Sequence, residues 1–83
     1  MREQADTRGT TTYQILSSAG FRAGVEEVRT GRPPNFEHND WNYERGRQFA
    51  RLAPISMPLR VGGRINKKAL ALLDAAFDRK LIL

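Results

Sequence analysis

Seven cations and one carboxylate occupy the 26 residues from Tyr43 to Lys68: Arg45, Arg47, Arg51, Arg60, Arg64, Lys67 and Lys68 against Glu44. The formal balance of this stretch is +6, whereas residues 1–42 balance at −1 and residues 69–83 at zero, so it accounts for the net +5 of the chain. Arg outnumbers Lys eleven to three. A guanidinium is a planar fork of donors that matches phosphate and carboxylate, so the chemistry available to this segment is recognition of an anionic surface. Six or seven such charges on one face would neutralise phosphates and make binding fall steeply with salt.

Bond-making chemistry has little to work with. The one histidine, His38, stands in Glu37-His38-Asn39-Asp40, with no second His and no Cys in the chain to complete the three or four ligands of a metal site. No Ser or Thr has a base at a recognisable spacing. Gly62-Gly63 lacks the glycine spacing, Lys and Ser/Thr of a phosphate loop. The expectation is a protein that is not an enzyme and needs no metal or cofactor. Zero cysteines fit a reducing compartment. The start, MREQADTRGTTTY, has no apolar run of a secretory signal, and no window approaches the ~18 apolar residues of a membrane span. A cytoplasmic protein with no membrane partner follows.

With 83 residues, 40% hydrophobic and 28% charged, one small globular domain is expected. Residues 1–10 are polar and without periodicity and read as a flexible arm, leaving residues 11–83 as the domain. From Thr12 to Thr30 the pattern is helical: Phe21, Val25 and Val28 recur at helical spacing beside a stripe of Leu16, Gly20 and Ala23. Gly20 and Gly24 weaken that helix and suit a kink near its start. Gly31 suits its C-terminal end, Pro33-Pro34 forbid continuation, and residues 31–40 form a loop. Asp40 or Asn39 can cap a second helix from about Trp41 to Leu52. On a helical wheel Tyr43, Gly46, Phe49, Ala50 and Ala53 share one face. Arg47, Arg51, Glu44 and Gln48 take the other, with Arg45 and Trp41 at its margin. The arginines are therefore expected on a solvated back, free to bind.

In PISMPLRVGGRIN, residues 54–66, Gly62-Gly63 between Leu59/Val61 and Ile65 signals a two-residue β-hairpin. Asn66 can cap a third helix to about Arg79, whose Leu70, Leu73, Phe77 and Leu81 form an amphipathic stripe. The Leu-Ile-Leu end is either tucked into the core or used against a partner, including a second copy in a homodimer. The fold class expected is mainly α (α+β).

Residues 21–29, FRAGVEEVR, overlay residues 43–51, YERGRQFAR, at a spacing of 22: an aromatic, a glycine three later, and a closing Arg. Each pattern places a ring beside a gap in a helix surface, so an antiparallel helical hairpin crossing at Gly24 and Gly46 is expected. GFRAGVEEVRTGRPP followed by WNYERGR resembles the ribosome modulation factor family of small basic proteins. The matching positions are Gly20, Phe21, Ala23, Gly24, Gly31, Arg32, Trp41, Gly46 and Arg47. The resemblance covers about residues 20–51; this chain has one Trp where the family's second helix is Trp-rich, and some 30 further residues. It implies two helices joined by a loop, ribosomal RNA as partner and the silencing of ribosomes.

Two functions remain open at this point. One is contact with a nucleic acid or ribonucleoprotein complex through Arg45, Arg47, Arg51, Arg60, Arg64, Lys67 and Lys68. Lys67 and Lys68 oppose the macrodipole of the helix they start, which favours a role in binding, and Trp41 could stack on a base. The other is stoichiometric inhibition of a host protein complex, of the anti-CRISPR or anti-defence type found in phage and mobile elements.

Overall fold

The computed structural model describes residues 11–35, 37 and 40–83. The expected arm over residues 1–10, like His38 and the alternative cap Asn39, lies outside them. The elements run α1 Thr12–Ser17, α2 Ala19–Arg29, α3 Trp41–Leu52, β1 Arg60–Val61, β2 Arg64–Ile65 and α4 Lys67–Asp78. The chain is thus mainly helical with one short antiparallel hairpin, the α+β class expected.

The first helical stretch breaks at Ser18 rather than at a glycine. Thr11 and Gln14 form a reciprocal capping box at the start of α1. Ser18 then leaves the helical region at φ −71°, ψ 150°, and its Oγ accepts the Phe21 amide at 3.2 Å to cap α2. One serine therefore ends α1 and opens α2. At the other end of α2, Gly31 takes φ 76°. Its amide donates to the Val28 carbonyl, and the Arg32 amide donates to that of Glu27, the paired bonds that close a helix through a left-handed residue. Asp40 caps α3 by accepting the Asn42 amide at 3.0 Å.

Helices α2 and α3 form the most closely packed pair, and they touch at the expected glycines. A Cβ built on Gly24 would lie 2.2 Å from the carbonyl oxygen of Tyr43 and 2.9 Å from the nitrogen of Arg47. One built on Gly46 would lie 2.2 Å from the carbonyl oxygen of Phe21. The main-chain carbonyl of each aromatic in the repeated pattern thus abuts the glycine of the other helix. The direction differs from expectation. Gly20, at the start of α2, lies beside Asp40 and Tyr43 at the start of α3, and Arg29, at the end of α2, donates to the carbonyl of Pro54 just past α3 at 3.2 Å. Starts meet starts and ends meet ends, so the pair is parallel, not an antiparallel hairpin. The connection explains it: residues 30–40 can reach ~36 Å when extended, about twice the ~16 Å length of α2. The returning chain is pinned on the way, where the amide of Asn35 donates to the Tyr43 hydroxyl at 2.7 Å.

Phe21 and Phe49, both fully buried, meet with ring centroids 5.4 Å apart at the heart of the core. Burying each ring contributes about 2–3 kcal/mol. Around them pack Ile15 and Leu16 of α1, Val25, Ala53, and Ala69, Leu73 and Ala76 of α4. The buried line of α4 is therefore turned from the expected one. Leu73 is common to both, but Ala69 and Ala76 replace Leu70 and Phe77, which are half-buried, and Leu81 lies past the helix and is 53% exposed. Small residues at those positions let α4 approach the core closely. Helix α4 ends through Lys80 in a left-handed conformation, φ 60°, after which Ile82 tucks into the core while Leu83 stays half-exposed. The amide of Leu83 donates to Oε1 of Gln48 at 2.9 Å, which seats the tail on α3.

Candidate nucleic-acid interface

Two flanks cover α3. Helix α2 lies against its Tyr43 and Gly46 side, and the C-terminal tail lies against Gln48 and Arg45. The residues buried on α3 are Arg47, Tyr43, Gly46, Phe49 and Arg45, which at 3.6 residues per turn sweep roughly 200° of its circumference. The expected solvated back is thus reduced to a strip holding Glu44, Gln48, Arg51 and Leu52.

Arg45 and Arg47 are accordingly not part of an open binding face, contrary to the reading of the wheel. Arg47 is 5% exposed and its Nη1 donates to Oε1 of Glu27 on α2 at 3.0 Å. The same carboxylate oxygen accepts the Tyr43 hydroxyl, which itself accepts from Asn35. This chain of bonds, Asn35 to Tyr43 to Glu27 with Arg47, ties the returning segment and α3 to α2. Arg45 is 2% exposed; its Nε donates to the carbonyl of Leu83 at 3.2 Å and its Nη1 to Oδ1 of Asn42 at 2.9 Å. A wheel of one isolated helix cannot show either burial, because both are imposed by segments distant in sequence.

The remaining five expected residues, Arg51, Arg60, Arg64, Lys67 and Lys68, are exposed. Three of them meet in one place. Gly62 and Gly63, with φ 61° and 78°, make the tight turn that a two-residue loop requires. Arg60 pairs with Ile65 and Val61 with Arg64 across the ladder. Asn66 then caps α4 by accepting the Lys68 amide at 3.0 Å, while its Nδ2 donates to the carbonyl of Pro58 at 2.8 Å. The hairpin and the first turn of α4 are thereby locked as one unit, and α1 packs against both α4 and β2.

Between them lies a groove of about 420 Å³, lined by Tyr13, Arg60, Gly63, Arg64, Ile65, Lys67 and Leu70. None of these is acidic. Arg64 and Lys67 have no carboxylate partner among the described residues, and the one bond of Arg60 is from Nη1 to the Gly63 carbonyl at 3.3 Å. Three cations with no ion-pair partner among the described residues share a concave surface with one aromatic ring. Arg51 and Lys68 stand outside the groove. Tyr13 is the member that the sequence reading misses. It is 55% exposed on a helix whose burial is served by Ile15 and Leu16. An aromatic one position out of the apolar phase in TYQILS was the available signal. Trp41, by contrast, is 39% exposed at the start of α3 and does not line the groove.

A second hollow, about 480 Å³, lies between α2 and Leu59 and is lined by Arg22 and Arg29 together with Glu26 and small apolar residues. Its charges are mixed, and Arg29 is engaged with Pro54, so it offers an anion less. Among the described residues no group of three or more His, Cys, Asp or Glu could hold a metal, and no helix is long and apolar enough to cross a membrane. Compared with known proteins, the sequence matches no family model, and no curated protein or solved structure matches it.

Proposed function

We propose that this chain is a non-catalytic, stoichiometric binder of nucleic acid or of a ribonucleoprotein complex in the cytoplasm. Its contact surface is the groove between hairpin, α4 and α1. The observation that carries the reading is the set Arg60, Arg64 and Lys67 around one concavity, without a carboxylate partner among the described residues, in a chain whose α3 arginines Arg45 and Arg47 are consumed by packing. The resemblance of residues 20–51 to the ribosome modulation factor family supports the same class of partner. It contributes scaffold more than contact, since its Gly24, Gly46 and Arg47 are buried between α2 and α3.

Neutralising three phosphates gives a slope of log K against log salt of about −2 to −3. Between about 50 and 200 mM salt, affinity for RNA or DNA then falls roughly 20- to 40-fold. Replacing Arg60, Arg64 and Lys67 together by Gln removes that dependence, measured by fluorescence anisotropy of a labelled oligonucleotide. An affinity and slope unchanged in the triple variant would overturn the placement of the surface. No binding of either nucleic acid by the wild type at low salt would overturn the class of partner and favour the protein-inhibitor reading.

A further inference from the structure

We infer that the groove selects single-stranded nucleic acid over duplex, with Tyr13 as a stacking platform for one unpaired base and Arg60, Arg64 and Lys67 holding the flanking phosphates. The inference rests on the reading just given and deepens it.

Four features of the site lead there. Tyr13 is more than half exposed, and its hydroxyl has no partner among the described residues, so the ring is held neither by burial nor by a hydrogen bond. The core function of α1 is served without it: Ile15 and Leu16 are each 1% exposed, and the capping box at Thr11 and Gln14 secures the helix. Tyr13 lines a groove whose other walls supply positive charge and two apolar side chains, Ile65 and Leu70. That combination of an aromatic ring, apolar side chains and cations around one hollow fits a base with its phosphates. Finally, access to a base face discriminates. A groove of about 420 Å³ admits a base splayed from its strand. A duplex keeps its bases stacked on each other and offers the ring no free face, so only its phosphates can meet the groove.

Stacking on an aromatic is sequence-tolerant because every base has a π-face, and it is lost on removal of the ring. The wild type is therefore expected to bind short single-stranded RNA or DNA more tightly than a duplex of equal length at the same salt. Tyr13→Leu keeps an apolar side chain but no π-face, and should weaken single-strand binding about tenfold with duplex binding unchanged. Tyr13→Phe should bind as the wild type does. Comparing RNA and DNA strands separates a general stacking site from one that also reads the 2′-hydroxyl.

Equal affinity of Tyr13→Leu and wild type for the single strand overturns the inference. So does equal weakening toward single strand and duplex. Tyr13 is exposed, so circular dichroism should find both variants folded, and loss of fold in Tyr13→Leu would itself overturn the claim that the ring is free of the core. Binding abolished by the Arg60, Arg64 and Lys67 triple variant but unmoved by Tyr13→Leu would leave the nucleic-acid reading standing while removing the stacking site. The two failures are thus distinguishable.

Discussion

Arg47 and Arg60 belong to the same basic run, thirteen residues apart, and have opposite fates. The α3 arginine is 5% exposed and bound to Glu27, whereas the hairpin arginine is exposed and, among the described residues, bonds only to the turn beside it. The difference lies in what each element has on its flanks. Helix α3 is covered on one side by α2 and on the other by the C-terminal tail, so even its charged margins are enclosed. The hairpin exposes Arg60, Val61 and Arg64 and turns only Ile65 partly inward, with α1 packed against β2. Charge density along a sequence therefore locates a basic segment without locating a basic surface. Within this one segment two arginines hold the scaffold, and three cations downstream form the groove.

The comparison breaks first if the helix pair is forced open. A Cβ on Gly46 would stand 2.2 Å from a main-chain oxygen that has no freedom to swing away. Gly46→Leu should therefore destabilise by more than about 3 kcal/mol, enough to unfold much of so small a domain. Urea denaturation should show a large fall in midpoint. A near-neutral result would mean that α2 and α3 do not touch there, and the burial of Arg47 would lose its cause.

Next in size is the ion pair itself. Arg47→Gln leaves the Glu27 carboxylate without its charge partner and should cost about 3 kcal/mol, at the low end for a buried pair because the Glu27 side chain is 16% exposed. Adding Glu27→Gln should recover part of the loss, since the amide can still accept from the Tyr43 hydroxyl. The double-mutant cycle should then show a coupling of about 1–3 kcal/mol. Purely additive losses would return Arg47 to the class of solvated arginines. Arg45→Gln should cost less, about 1.5–3 kcal/mol, through its lost bonds to Leu83 and Asn42. It should also loosen the tail, seen as faster amide exchange at Leu83, whose N–H is held by Gln48.

Much of this architecture was legible because local signals and packing agree. Gly31, Asp40, Asn66 and the Gly62-Gly63 turn each do locally what their residue types favour. The close approach at Gly24 and Gly46 could be read from an aromatic and a glycine repeating in both helices. What could not be read was tertiary. The parallel direction depends on how far residues 30–40 travel, and two crossing glycines are compatible with either direction. The burial of Arg45 depends on a tail some 38 residues downstream. The rotation of α4 toward Ala69 and Ala76 reflects closeness of approach, which a hydrophobic stripe of larger residues conceals. The break at Ser18 was available in the sequence, since Thr11-x-x-Gln14 marks one helix start and a serine three residues before Phe21 marks another. In the candidate site, the three groove cations were visible as charges, but only the docking of α1 on the hairpin and α4 brings Tyr13 to them.

The smallest effect on stability tests the other half of the comparison. Arg60 is exposed, and its one bond among the described residues, to the Gly63 carbonyl, closes within the hairpin turn. Arg60→Gln should therefore change stability by less than about 0.5 kcal/mol, with an unchanged denaturation midpoint. On the proposed surface the same substitution would remove one phosphate contact and should reduce the magnitude of the salt slope by about 0.7 on a single strand or 0.9 on a duplex. Arg47→Gln, assayed under conditions where it remains folded, should leave that slope where it was. A charge that supports the fold and a charge that meets the ligand are then separated by two measurements moving in opposite senses: stability alone for Arg47, salt dependence alone for Arg60. If Arg60→Gln shifted the midpoint and left the slope unchanged, the hairpin cations would be structural as well, and the groove would lose its claim to a ligand.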